Sequence, residues 1–185
     1  MDPIDLTDNI IEGNVFIYPT DTIYGLGCDA TNRDSVARLK AIKGRDADKP
    51  LSVIAPYIGW IFEHFDIEKK DIGYLNKYFP GPYTLLLKKR KIDFMDWISP
   101  NDRMGVRIPR FAVGDKYILD SIGDSQVPIV TTSVNLSGEK PAVRISEVSE
   151  DILKKVDFFI KAKNERKLSG RPSTLVIDGE EIGRK

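Results

Sequence analysis

Three cations, Lys43, Arg45 and Lys49, fall within seven positions of this chain, interrupted by Gly44 and closed by Pro50. Arginine grips two phosphate oxygens at once and lysine supplies a mobile point charge, so the mixture suits a polyphosphate. A solvated helix C-terminus, where cations face the helix dipole, is the simpler account of the cluster alone. Arg107 stands inside a short apolar strand, Val106-Arg107-Ile108, on the opposite face from its neighbours. A guanidinium there requires an anion, either a substrate carboxylate held bidentately or an aspartate elsewhere in the fold. Two hydroxyl-rich segments, Thr20-Asp21-Thr22 and Thr131 to Ser137 with Ser133 and Asn135, can bind a small polar ligand or close local turns on their own backbone. Ser173-Thr174 forms a third such segment. Tyr24-Gly25-Leu26-Gly27 allows close backbone approach to a ligand but lacks phosphate-loop or dinucleotide-binding spacing. Lys88-Lys89-Arg90-Lys91 is a second basic run, suited to a solvated strand end or to RNA phosphates.

Other chemistry is closed off by what the chain lacks. One cysteine, Cys28, makes no internal disulfide, and with one histidine, His64, it builds no Cys/His zinc site. A Ser-His-Asp or Cys-His mechanism would have to use His64, which lies among aromatic residues in GWIFEHF and is expected to pack. Lysine plus arginine and aspartate plus glutamate each total 28, which disfavours a generally basic nucleic-acid binder. With 185 residues, 41% hydrophobic and 30% charged, one domain over 1–185 is expected. No leader pattern or membrane-length apolar run occurs, so a cytoplasmic location and no membrane partner are expected.

Strand-length apolar runs alternate with helical periodicity, an α/β pattern (α+β by some schemes) that places ligand groups at strand ends. Strands are expected at 15–18, 51–55, 83–87, 105–108, 128–132, 158–161 and 174–177, six or seven in all. Helices are expected from an Asn32 cap to Gly44, at 57–65, 68–79, 113–122 and 146–156, after a short one through Ile10 and Ile11. Pro19 should stop the first strand, and 88–103 should be loop.

Six blocks in order closely resemble the YrdC family, also called TsaC, of L-threonylcarbamoyl-AMP synthases. They are YPTDTIYGLGCDA from Tyr18, KGRDADKPLSV from Lys43, FPGPYTLLLKK from Phe79, GVRIPR from Gly105, TTSVNLSGEKPA from Thr131 and RPSTLVIDG from Arg171. The resemblance covers nearly the whole chain and is closest to the short, single-domain form. It implies a three-layer fold around a twisted mixed sheet of about seven strands, with a large basic cavity. It also implies condensation of L-threonine, bicarbonate or CO2, and ATP carrying Mg²⁺ to L-threonylcarbamoyl-AMP and pyrophosphate. A tRNA threonylcarbamoyltransferase complex would take the product, with tRNA or double-stranded RNA as a further partner. By motif, Thr22, Arg107, Ser173 and Thr174 fall at threonine-binding positions. Lys43, Arg45, Lys49, Thr131, Ser133, Asn135 and Arg184 fall at ATP-binding positions. No protein nucleophile and no dedicated metal site are implied, Asp21 being the one acid in a block that faces the site. The chain departs from the family at Ser52-Val53-Ile54, where a histidine is common, at Val134, and at Arg103-Met104. A double-stranded-RNA-binding paralogue without synthase activity is the competing expectation, and an enzyme activating another amino acid is the third.

Overall fold

The computed structural model describes residues 6–44, 49–111, 115–136 and 139–183. Nine strands make one mixed sheet: β1 Phe16–Pro19, β2 Tyr24–Asp29, β3 Ser52–Ile54, β4 Tyr83–Lys88, β5 Arg103–Arg107, β6 Ile129–Ser133, β7 Phe158–Phe159, β8 Thr174–Ile177 and β9 Glu180–Ile182. Their order is β7-β1-β2-β6-β3-β5-β4-β8-β9, with β1·β7, β3·β5 and β4·β8 parallel and the rest antiparallel. The helices are α1 Leu6–Ile11, α2 Arg33–Ile42, α3 Ile58–His64, α4 Lys69–Tyr78, α5 Asp93–Ile98, α6 Tyr117–Ser125 and α7 Glu150–Leu153.

Side chains alternate across a strand, so each strand sends every second residue to one face. On one face Val53, Leu85, Val106, Val130 and Val176 join apolar residues of α2 to α5 in the larger core. The other face is divided. Phe16, Tyr18, Ile54 and Ile129 lie beneath α1 and α6 in a second core, whereas Ser52, Thr84, Gly105, Arg107, Thr131 and Ser133 border a cavity of about 970 Å³. Residues buried under a helix are large and apolar, whereas the cavity lining mixes hydroxyls, Gly105 and Arg107 with Leu86 and Leu175. The site is therefore a stretch of sheet that none of the described helices covers.

The local rules hold at α2. Asn32 accepts a side-chain hydrogen bond from the Ser35 N–H, and Gly44 follows Lys43 with φ +59°, the left-handed conformation a helix stop uses. Elsewhere the structure corrects the sequence. The Tyr24-Gly25-Leu26-Gly27 segment, not among the expected strands, lies in the fully buried strand β2, and its Tyr24 and Gly25 border the cavity. Its Gly25 and Gly27 lie against the ring of Tyr18, where a Cβ on Gly27 would come within 2.8 Å of that ring and 2.9 Å of Ile129. Those glycines make room for an aromatic ring. β1 includes Pro19, α5 lies inside the stretch expected as loop, and β9, exposed throughout, has no alternation to betray it. The 158–161 strand shortens to two residues, and the 146–156 helix resolves into a 3₁₀ turn at Ile145–Glu147 and the four-residue α7. α6 starts at Tyr117 rather than at 113, which lies outside the described residues.

Asn32→Ala should lower unfolding stability by about 1 kcal/mol, the ordinary value of an N-cap. Urea denaturation checks it, and Asn32→Asp should recover most of the loss.

Candidate active site

Arg107 ends β5 with its side chain only 7% exposed, and its charge is met by Asp21 at 2.9 Å from Nη2 to Oδ1. The other Asp21 oxygen accepts the Arg110 N–H at 2.9 Å, so the carboxylate is fixed from two sides. The turn carrying Asp21 is itself locked. Thr20 Oγ1 donates to the Ile23 carbonyl at 2.7 Å and accepts the Thr22 N–H at 3.1 Å, while Thr22 Oγ1 lies 2.9 Å from Thr20 Oγ1 and accepts from Arg107 Nη2 at 3.4 Å. Residues 169 and 170 cross over this turn, donating their N–H groups to the carbonyls of Asp21 and Thr22. One group is left over: Arg107 Nε is buried without a hydrogen-bond partner among the described residues. An orphaned buried donor costs free energy of the order of 1–3 kcal/mol, and Arg107 borders the cavity. A bound acceptor there would relieve that cost.

The floor beside Arg107 is polar and thin. Thr84 Oγ1 and Ser173 Oγ lie 2.7 Å apart, both buried. Gly105 has no space for a side chain, since a Cβ would collide with Ser52 Oγ and come within 2.9 Å of Thr84 Cγ2. At the β6 side, Tyr18 donates to Thr131 Oγ1 at 2.8 Å, and burial pushes its phenol up to about 12, keeping it a donor at neutral pH. Lys43, buried at the end of α2, directs Nζ to Ser133 O, to Ser133 Oγ at 3.2 Å, and to both Asn135 oxygens at 3.1 Å. In the larger core, at the start of β2, Tyr24 donates to Glu165 at 2.8 Å and accepts the Ala162 N–H at 2.9 Å. Burial raises the Tyr24 phenol well above its ordinary value. Burial works against ionisation of Glu165, yet hydrogen bonds from the Ile145 N–H and Tyr24 hold its carboxyl below the usual range.

Of the expected residues, Arg107, Thr131, Ser133 and Ser173 border the cavity. Thr22 sits behind Arg107, and Lys43 joins Ser133 and Asn135 in one cluster. Lys49 is exposed beside the cavity-lining Pro50, and Thr174 starts β8 with its N–H on Pro82. Arg45 and Arg184 lie outside the described residues. The walls are mixed rather than simply basic: among the described lining residues, Arg103, Arg107 and Lys140 face Asp102 and Glu139. Of the substitution points, Ile54 and Val134 are core residues, whereas Arg103 lines the cavity and pairs with Asp178 at 3.0 Å. Thr84 was not expected at all, being an ordinary β-former in a strand. Asp21, open between a turn acceptor and a site acid, is the partner of Arg107. His64 stacks on Trp60 and bonds its carbonyl, and burial drives the Cys28 thiol far above its usual pKa. Neither borders the cavity.

Residues 8–183 match the family model Sua5/yciO/yrdC, described as telomere recombination. A protein of Methanocaldococcus jannaschii named "Putative threonylcarbamoyl-AMP synthase" is 34% identical over 178 residues, covering 96% of this chain and 81% of that one. P. abyssi Sua5, solved in complex with L-threonine, is 28% identical with a TM-score of 0.79 over 92% of this chain; the match spans 49% of the P. abyssi chain, about half its length. E. coli YciO shares the fold at 19% identity, with a TM-score of 0.77 over 96% of this chain and 88% of its own.

Removing one member of a buried pair strands the other charge. Asp21→Ala should therefore destabilise the protein by roughly 3 kcal/mol, and adding Arg107→Met should restore most of it. Urea unfolding of the single and double variants checks this, with simple additivity as the contrary outcome.

Proposed function

The chain belongs to the Sua5/YciO/YrdC family, and from that premise we propose that it condenses L-threonine, bicarbonate or CO2, and ATP to L-threonylcarbamoyl-AMP and pyrophosphate. One observation carries the assignment: a buried arginine bordering the cavity, its Nη2 paired with Asp21 and its Nε–H without a partner among the described residues. That N–H suits a carboxylate such as the one an amino acid brings. The L-threonine bound to P. abyssi Sua5 supports the choice of amino acid.

The threonine amine attacks CO2 and loses a proton as the carbamate forms; with bicarbonate the same N–C bond forms as a C–O bond breaks, and the amine proton leaves with that oxygen as water. A carbamate oxygen then attacks the α-phosphorus of ATP while the bond to the β-phosphate bridging oxygen breaks and pyrophosphate leaves. The substrates supply both nucleophile and leaving group, so the chain contributes alignment and charge. Arg107 holds the carboxylate, with Thr22, Ser173 and Thr174 around the amino acid. Lys43, Arg45, Lys49 and Arg184 meet the phosphates, and Thr131, Ser133 and Asn135 line the nucleotide. Mg²⁺ travels on the triphosphate as part of the substrate. The enzyme is thus a nucleotidyltransferase, carried by one domain over 1–185 and acting in the cytoplasm. It supplies a tRNA threonylcarbamoyltransferase complex, with tRNA or double-stranded RNA as a further partner. Among the described residues, no helix is long and apolar enough to cross a membrane.

Pyrophosphate release by the purified protein should require threonine and bicarbonate together. Arg107→Ala should raise the KM for threonine about tenfold or more, the value of a charged hydrogen bond, and leave the KM for ATP within about twofold. Lys43→Ala should do the reverse. Release independent of threonine, or equal shifts in both constants, would contradict the assignment.

A further inference from the structure

Among the described residues Arg107 Nε–H has no hydrogen-bond partner, and a carboxylate that meets it brings a second oxygen to be satisfied. The second donor is found by following the sheet register. Leu85 pairs with Val106 and Leu86 with Gly105, and one step further along these antiparallel strands Thr84 stands level with Arg107. Both project to the cavity face, as the 2.9 Å approach of Thr84 Cγ2 to a Cβ built on Gly105 requires. Thr84 is in turn bonded to Ser173 on the next segment. Arg107, Thr84 and Ser173 therefore make a row across three neighbouring segments, and all three border the cavity.

Two hydroxyls carry two hydrogens. The 2.7 Å contact uses one and leaves the other without a protein acceptor among the described residues. Ser173, in the loop before β8, is 5% exposed, whereas Thr84, in the body of β4, is 1% exposed. The 2.7 Å contact admits either hydroxyl as donor, and the less enclosed position of Ser173 is the reason for taking it as the member that turns outward. If Thr84 donates to Ser173, the Ser173 hydrogen is directed away from Thr84 and into the cavity.

We propose that Thr84 is a positioning residue of the amino-acid site, donating to Ser173 so that the Ser173 hydroxyl and Arg107 Nε together hold the two oxygens of a carboxylate. The inference rests on the amino-acid reading of the cavity given above. Thr84→Val keeps the shape and the methyl group while removing the donor.

The test is threonine binding by calorimetry and the KM for ATP, measured on the full chain for Thr84→Val, Thr84→Ser, Ser173→Ala and the Thr84→Val/Ser173→Ala double variant. Thr84→Val should weaken threonine about fivefold, as expected for one neutral hydrogen bond, with ATP unaffected. Thr84→Ser should bind like the parent protein, and Thr84→Val should add nothing once Ser173 is alanine. Full additivity, an equal loss of ATP use, or failure of serine to rescue would overturn the proposal. Should Thr84→Val not fold, Thr84→Ala takes its place in the cycle. A parent protein that binds another amino acid in place of threonine would remove the proposed function, while the same cycle on that amino acid still decides the role of Thr84. Binding of no amino acid would overturn both.

Discussion

A guanidinium buried on the face of a sheet has to be neutralised, and the Arg107–Asp21 pair is the contact around which the site is organised. Asp21 serves Arg107 with one oxygen and the Arg110 backbone with the other, tying the turn after β1 to the chain leaving β5 across 86 positions of sequence. The same turn carries the crossing segment at 169–170 on its carbonyls. Loss of the pair would loosen one wall of the cavity as well as one charge. Asp21 bonds Nη2 and leaves Nε–H without a partner among the described residues, so the residue that anchors the fold also keeps a donor in reserve.

The cavity exists because one face of the sheet is divided. Where α1 and α6 cover it, the strands present Phe16, Tyr18, Ile54 and Ile129. Where none of the described helices lies, they present hydroxyls, Arg107, the bare backbone of Gly105 and the leucines Leu86 and Leu175. Those same strands fill the opposite core with valine and leucine, so stability and chemistry use alternate residues of one strand. This separation lets a polar site sit on a sheet without a loss of core volume.

What the sequence revealed follows from how local each signal is. Arg107 was legible because a charge inside a three-residue apolar run breaks the alternation, and the Asn32 and Gly44 helix signals are read within one turn of chain. The Arg107 partner was not legible, since Asp21 sits in a turn where a local acceptor role is equally reasonable and the pairing is made by sheet order. Thr84 was hidden for a related reason: a threonine in Tyr83-Thr84-Leu85-Leu86 is an ordinary strand residue until the register sets it beside Arg107. Gly25 and Gly27 signal close approach without naming what approaches: both lie against the ring of Tyr18, and Gly25 also lines the cavity. The family resemblance supplied the overall architecture correctly. The strand count rose from about seven to nine through β2, whose core residues Tyr24, Leu26 and Cys28 alternate with glycines that read as loop, and through β9, which is exposed throughout.

The central claim is that the unpartnered edge of Arg107 receives the carboxylate of the substrate amino acid. Proton–nitrogen NMR of the arginine Nε–H groups tests it directly, with the Arg107 signal assigned by its loss in Arg107→Lys. Addition of L-threonine should shift that signal and slow its exchange with water, in a protein whose other arginine signals barely move. Threonine binding that leaves the Arg107 Nε–H signal unchanged would contradict the claim.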